Sequence, residues 1–281
     1  MALHLDAVGR QTAILEHPYR WQDAVLYALG VGATRDELDF LYEGRGPKVL
    51  PTYAVVPAFE ANRALFEPIG GELAGVVHGS QAIRLHRPFP PSGTLRTVGT
   101  VAGIYDLKRM AQVVVTTETK DEAGELLCST EWVLMYLKDG GFGGPAPPRS
   151  ARIRVPERDP DWVVRETTSA EQALLYRLSG DPNPLHADPE AARQQEKVTG
   201  GVPILHGLCT YGYVGRAVLQ KEGGLDPARL KVLSGRFSKP VWPGETLVTE
   251  GWREDDRVLL RTSTEERPGE HVFTNAYAEL A

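Results

Sequence analysis

Residues 208–220 read Leu208-Cys-Thr-Tyr-Gly-Tyr-Val-Gly-Arg-Ala-Val-Leu-Gln220, small and apolar on nearly every side. A surface helix shows one apolar stripe, so a segment apolar nearly all round is predicted to be a helix buried inside other structure. What encloses it is legible downstream. β-type runs follow near 229–241, 245–253, 256–264 and 270–280, rich in alternating or β-branched residues and divided by turn signals. Four comparable runs stand near 79–89, 94–105, 110–119 and 125–137. Strands in succession, with helices ahead of them, predict an α+β fold in which antiparallel sheets wrap helices, not alternating parallel units.

The two sets of strands belong to an internal repeat. Gln22-Asp-Ala-Val-Leu-Tyr-Ala-Leu-Gly-Val-Gly32 aligns without gaps on Glu171-Gln-Ala-Leu-Leu-Tyr-Arg-Leu-Ser-Gly-Asp181. Pro88-Phe-Pro-Pro-Ser-Gly-Thr-Leu95 aligns on Pro240-Val-Trp-Pro-Gly-Glu-Thr-Leu247, and the two offsets, 149 and 152 residues, nearly agree. A duplicated domain explains this better than chance. The expected organisation is an N-terminal domain over 1–145, a C-terminal domain over 151–281, and a linker over 139–150. That linker contains Asp139-Gly-Gly-Phe-Gly-Gly-Pro-Ala-Pro-Pro-Arg149.

Composition narrows the class. The 281 residues are 42% hydrophobic and 24% charged, with a net charge of −6, values of an ordinary globular chain. No Lys/Arg block suggests a nucleic-acid surface, and no apolar run approaches a membrane span. The beginning, Met-Ala-Leu-His-Leu-Asp, does not read as a secretory signal. The ending, Ala-Glu-Leu-Ala, does not read as a peroxisomal address. Only two cysteines, Cys128 and Cys209, occur, as small core residues in a reduced setting. The expectation is a cytoplasmic protein with no nucleic-acid or membrane partner.

The halves differ at one place. Ser179-Gly-Asp-Pro-Asn-Pro-Leu-His-Ala-Asp-Pro189 presents a carboxylate (Asp181), an amide (Asn183) and an imidazole (His186) on a backbone stiffened by Pro182, Pro184 and Pro189. Proline fixes its own φ and keeps the preceding residue out of the helical region, so such a loop can hold the fixed geometry that acid–base chemistry needs. Asp181 aligns with Gly32, and the first half has no counterpart of the cluster. Taken alone, Asp181 could simply cap a turn, and His186 could be a hydrogen-bonded structural histidine. A metal reading would use Asp181, His186, Asp188 and His206, but no close-spaced histidine pair supports it and no metal is expected. The 140–144 glycines lack the spacing of a nucleotide-binding loop.

Taken together, Tyr176-Arg-Leu-Ser-Gly-Asp-Pro-Asn-Pro-Leu-His186 and Pro203-Ile-Leu-His-Gly-Leu-Cys209 closely resemble the (R)-specific enoyl-CoA hydratases, the type-2 hydratases of the MaoC-like group. The likeness extends to Tyr27-Ala-Leu-Gly-Val-Gly32, Leu41-Tyr-Glu-Gly44, Val77-His-Gly79, Gly140-Gly-Phe-Gly-Gly144 and Phe237-Ser-Lys-Pro240, nearly the whole chain. The resemblance implies a double hot-dog fold and the addition of water across a trans-2-enoyl thioester to give the (3R)-3-hydroxyacyl product, or the reverse dehydration. It implies no cofactor and an acyl-CoA thioester substrate, and the fold is compatible with a homodimer.

By the same resemblance Asp181 and His186 hold the water, Asn183 orients them or the substrate, and the backbone N–H of Gly207 receives charge developing on the thioester oxygen. Which of Asp181 and His186 returns a proton to Cα stays open. Ligand contacts would come from His78, Gly79, Lys108, Pro182, Pro184, Leu185 and Phe237. Here Leu107 separates Lys108 from Asp106, which leaves Arg109 as an alternative. Asp23, in the first leading helix, stays outside the catalytic set. His206 is expected to shape the turn at Gly207. The first half, without the motif, is expected to widen the cleft for an acyl chain. Acyl-carrier-protein dehydration, thioester hydrolysis and non-catalytic acyl-thioester binding are the alternatives.

Overall fold

A computed structural model describes residues 2–149 and 152–281. Ser150 and Ala151, where the expected linker meets the expected second domain, lie outside the described residues, as does Met1. The chain forms two compact units, one of residues 1–18, 54–87 and 94–152, the other of 19–53, 88–93 and 153–281. The principal helices are α1 (Trp21–Gly30), α2 (Val55–Ala64), α3 (Gln172–Tyr176) and α4 (Gly207–Val218).

Apart from the end residues Tyr19 and Gly93, which fall to the second, the first unit holds strands β1 (Leu15–Tyr19), β2 (Val76–Leu85), β3 (Gly93–Asp106), β4 (Ala111–Lys120) and β5 (Leu126–Tyr136). They lie side by side in the order β1-β3-β4-β5-β2. The β3–β4, β4–β5 and β2–β5 pairs are antiparallel. Period-2 patterning decides which face is covered. Along β4, Ala111, Val113, Val115, Thr117 and Thr119 are all buried, and the residues between them are not. Threonines on that face satisfy one another across the strands: Thr97 Oγ1 lies 2.9 Å from Thr119 Oγ1, and Thr117 Oγ1 2.7 Å from Thr130 Oγ1. Helix α2 closes the face. Phe59 lies 6.3 Å from the Trp132 ring, centroid to centroid. A Cβ at Gly99 would stand only 3.1 Å from the Ala61 carbonyl oxygen.

The second unit repeats the scheme with β6 (Trp162–Thr167), β7 (Leu230–Phe237), β8 (Thr246–Glu254), β9 (Arg257–Thr264) and β10 (His271–Leu280) in the order β7-β10-β9-β8-β6. Every neighbouring pair is antiparallel. Helix α4 is the enclosed helix: every residue from Leu208 to Val218 is buried. It begins one residue before the expected segment and passes at Leu219 into a π-type turn ending at Gly223. Its polar groups are satisfied internally, as burial requires; Tyr211 Oη donates to the Leu233 carbonyl at 2.6 Å.

Tyr19–Tyr53 belongs to the second unit. The reason is the apolar face of α1: Ala24, Tyr27 and Ala28 are buried, and Tyr27 packs 6.1 Å from Tyr176 of α3. Against Val31, just past α1, α4 comes very close. A Cβ added at Gly212 would lie 2.3 Å from Val31 Cγ1, and Val31 is buried and β-branched, with little room to turn. Gly212→Ala is therefore expected to lower stability by about 1–3 kcal/mol, the usual cost of overpacking a filled core. Urea unfolding would show it; a variant as stable as the wild type would contradict the close approach.

Strands β1 and β6 were not expected from sequence. Each precedes the leading helix of its half and has a short or broken apolar pattern, Leu-Glu-His-Pro-Tyr in β1 and a polar second half in β6. Among the described residues no helix is long and apolar enough to cross a membrane. Cys128 and Cys209 are free and buried.

Candidate active site

The polar cluster lies on a chain of short turns in the second unit. After α3 a 3-10 turn spans Arg177–Ser179, Gly180 follows at φ +121°, and a second 3-10 turn spans Pro184–His186. Gly180 is needed there, since an L side chain rarely adopts that backbone. The loop is tied by its own residues. Asp181 Oδ1 accepts from the Asn183 N–H at 3.1 Å, and Asn183 Oδ1 accepts from the Leu185 N–H at 3.1 Å. Asp188 caps the next helix, Pro189–Gln194, through the Glu190 N–H at 2.9 Å. The side-chain oxygen of Asn183 is thus engaged in shaping the turn. Pro182, Asn183 and Pro184 are exposed, whereas Asp181, Leu185 and His186 are half-buried.

His186 is anchored by Nδ1, which donates to the Ile204 carbonyl at 2.9 Å. That bond fixes the tautomer and leaves Nε2 as an acceptor. Behind it lies His206, 1% exposed, its ring stacked on His186 with centroids 3.7 Å apart and planes 28° from parallel. His206 Nε2 stands 3.4 Å from the Asp181 carbonyl oxygen, and its Nδ1 is buried with no hydrogen-bond partner. Tyr176 also packs on His206, with ring centroids 4.9 Å apart. Asp181, His186 and His206 each present one potential ligand atom, and the three atoms lie within 4.8 Å of one another. Asp181 and His186 therefore face a common point, with His206 as a third member. Sequence reading assigned His206 to the neighbouring turn and set aside a metal reading that included it; its place directly before a helix start was the available signal.

Gly207 opens α4, with His206 as the N-cap. The first N–H groups of a helix have no intrahelical partner and carry the positive end of the dipole, so this terminus suits an oxyanion. A Cβ at Gly207 would meet Phe237 Cδ1 at 3.2 Å, which places the Phe237 ring beside the helix start. Asp181, Leu185, His186, Gly207 and Phe237 thus gather in the second unit.

The remaining expected contacts are in the first unit. His78 Nε2 lies 3.0 Å from the Ser80 carbonyl, and its ring stacks on Trp132 at 4.9 Å. Burial pushes its pKa down to about 4. Gly79 marks an irregularity in the β2–β5 register, where a Cβ would be 2.9 Å from Met135 Cγ. Lys108 is exposed in the β3–β4 turn at φ +70°, and its N–H donates to Asp106 Oδ1 at 2.7 Å. The same Asp106 carboxylate accepts from the N–H groups of Gly141 at 2.9 Å and Gly143 at 2.7 Å. The glycine stretch is therefore pinned to this turn. Asp23 caps α1 by accepting from the Arg20 N–H at 2.8 Å.

Burial sets the electrostatics of the pair. Desolvation raises the Asp181 carboxyl against the pull of the His186 charge, the Asn183 N–H and Arg177. Desolvation also lowers the His186 imidazole, opposed by Asp181 and the Ile204 bond, and holds His206 well below its ordinary value. At neutral pH the imidazoles are uncharged and able to accept. A base that needs Asp181 ionised and His186 neutral should lose activity only in acid. The acid limb of kcat/KM is expected to belong to this pair, with burial holding the Asp181 carboxyl above its ordinary value and the His186 imidazole below its own. It would report the pair as a unit. A pH–rate profile checks this, and a loss that begins above pH 7 would contradict it.

Residues 17–137 match the MFE-2 hydratase 2 N-terminal domain, and residues 152–272 match the MaoC-like domain. The chain is 42% identical to the 3-hydroxyacyl-thioester dehydratase Y of Mycobacterium tuberculosis, over 93% of this chain and 92% of that protein. It is 40% identical to the peroxisomal multifunctional enzyme type 2 of Mus musculus over 98% of this chain, which spans only 38% of that larger protein. A solved MaoC-like dehydratase from Phytophthora capsici, 30% identical, superposes with a TM-score of 0.86, covering 99% of this chain and 98% of that one. With both domain types in this order and a relative matched over almost its full length, the chain belongs to the MaoC-like family of type-2 enoyl-CoA hydratases and has its double hot-dog fold.

Proposed function

We propose that this protein adds water to trans-2-enoyl-CoA to give (3R)-3-hydroxyacyl-CoA, and runs the reverse dehydration, with Asp181 and His186 as its acid–base pair. The observation that carries the reading is the convergence of the two side chains, within 4.8 Å, on one proline-stiffened turn beside the start of α4. A water held there gives up a proton as its oxygen bonds to C3. The electrons of the double bond move toward the thioester, and the Gly207 N–H receives the charge on the thioester oxygen. Return of a proton to Cα completes the addition. Burial holds the His186 imidazole below its ordinary range, so it is neutral and able to accept a proton near neutral pH.

Leu185 and Phe237 would line the substrate path, Pro182 and Pro184 would shape its rim, and Asn183 would hold the turn. His78, Gly79 and Lys108 of the first unit are assigned to the ligand on the strength of the family motif, and the unit without the Asp/Asn/His set to acyl-chain accommodation. With a homodimer left open to measurement, a cytoplasmic setting fits the two free thiols.

The test is a spectrophotometric one. Crotonyl-CoA should lose its conjugated absorbance, no free thiol should appear, and the product should be the (3R) alcohol. Thiol release would indicate a thioesterase, and tight binding with no turnover a carrier; either would overturn the assignment.

A further inference from the structure

The same turn has a second capacity, which arises from how its ring nitrogens are committed. Metal-ligating histidines typically give one ring N–H to a carbonyl or carboxylate, and this sets the other nitrogen toward the ion. Both imidazoles here have that arrangement. His186 commits Nδ1 to the Ile204 carbonyl at 2.9 Å. His206 faces Nε2 to the Asp181 carbonyl at 3.4 Å and keeps a buried Nδ1 with no partner. Asp181 commits Oδ1 to the Asn183 N–H at 3.1 Å, leaving the other oxygen. One carboxylate and two imidazoles, with ligand atoms within 4.8 Å, make a three-ligand set of the kind that leaves a fourth position for water. Neighbouring ligand atoms around a tetrahedral zinc ion are about 3.3 Å apart, given bonds near 2.0 Å. To close on an ion, the 4.8 Å span must shrink by about 1.5 Å, and the two rings, now stacked at 3.7 Å with planes 28° apart, must turn toward one point.

We propose that Asp181, His186 and His206 form an inhibitory site for a divalent transition ion such as Zn2+. The ion takes the carboxylate oxygen and the imidazole lone pair that would otherwise act on water. Hydration then stops until a chelator removes the metal. A set of two nitrogens and one oxygen favours Zn2+, Ni2+ or Cu2+ over Mg2+ and Ca2+.

The probe is Co2+, whose visible bands intensify in sites of low coordination number, followed by displacement with Zn2+, all without substrate. Binding is thus read whether or not the hydratase assignment holds. The wild type should take up one Co2+ per chain with strong visible bands that Zn2+ abolishes. His206→Gln removes a ligand outright and should weaken binding by at least the roughly 10–100-fold that loss of a ligand's supporting hydrogen bond costs. Asp181→Asn, on the half-buried loop, should weaken it comparably and covers the case in which the buried substitution fails to fold. His86→Gln, at an exposed histidine of the first unit, should bind as wild type. Where hydration is measured, the Zn2+ concentration giving half inhibition should rise in parallel for His206→Gln. Absence of the bands in wild type, or wild-type affinity in folded His206→Gln or Asp181→Asn, overturns the proposal.

Discussion

Folded Asp181→Asn is expected to hydrate crotonyl-CoA about a thousandfold more slowly than the wild type, and His186→Gln to fall in the same range. Positioned acid–base groups contribute roughly a hundred- to ten-thousandfold, and here two of them act on one water. The asparagine substitution isolates chemistry from architecture: its carbonyl oxygen can still accept the Asn183 N–H that Asp181 Oδ1 takes at 3.1 Å. What disappears is a proton acceptor. For His186, glutamine keeps a donor for the Ile204 carbonyl but cannot titrate. Because the two act as a unit, the double variant should fall no more than about tenfold below the weaker single one. Circular dichroism and unfolding curves would establish that each variant is folded. A wild-type rate in either of them would remove that residue from the mechanism.

The second large effect concerns stability. Arg216, in the buried helix α4, is 1% exposed and lies between two carboxylates. Its Nη1 donates to Glu37 Oε2 at 2.5 Å, its Nη2 to Glu166, and its Nε to the Val31 carbonyl at 3.1 Å. Gln220 adds a bond to Glu37 at 3.3 Å. Breaking such a group by removing one partner leaves buried charge uncompensated, which costs about 3–5 kcal/mol. Arg216→Met is therefore expected to destabilise the protein by that amount, a large part of a typical total of about 5–15 kcal/mol.

The sign of its pH dependence follows from Glu166. Burial already raises that carboxyl above its ordinary 4.5, and Arg216 opposes the rise. Without the arginine its folded-state pKa climbs further, so its ionisation penalises folding as pH rises above 4.5. The deficit of Arg216→Met should accordingly be smaller at pH 5 than at pH 8. Replacing Glu37 and Glu166 by glutamine in the same chain should recover much of the loss. Urea unfolding at the two pH values measures all of this. A deficit under about 1 kcal/mol at pH 8 would mean that the cluster contributes little.

How far the sequence anticipated these features depends on the range of the interactions involved. Eight strands were legible because a half-covered sheet forces a two-residue alternation that needs no partner to be recognised, as in Ala111–Lys120. Helix α4 was legible from composition, since full burial excludes a polar face. Strand β1 was not, with Glu16, His17 and Pro18 among its five residues. Helix α2 also escaped: Pro57 and the polar stretch Glu60-Ala-Asn-Arg63 blur its apolar face, and only packing on β4 and β5 makes it the first unit's counterpart of α4. Asp181, Asn183 and His186 stood out because they are local and absent from the other copy. The stack of His206 on His186 was invisible, since it depends on how residues 187–205 fold back. So was the Arg216 cluster, whose partners lie 179 and 50 residues away. Long-range polar contacts leave no period in a sequence.

A crystal structure with (3R)-3-hydroxybutyryl-CoA bound would test the chemistry at its centre. The C3 hydroxyl oxygen, which entered as water, should lie within hydrogen-bond distance of both the Asp181 carboxylate and His186 Nε2, with the thioester oxygen on the Gly207 N–H. A product whose hydroxyl rests on other residues, with Asp181 and His186 both turned away from it, would contradict the mechanism.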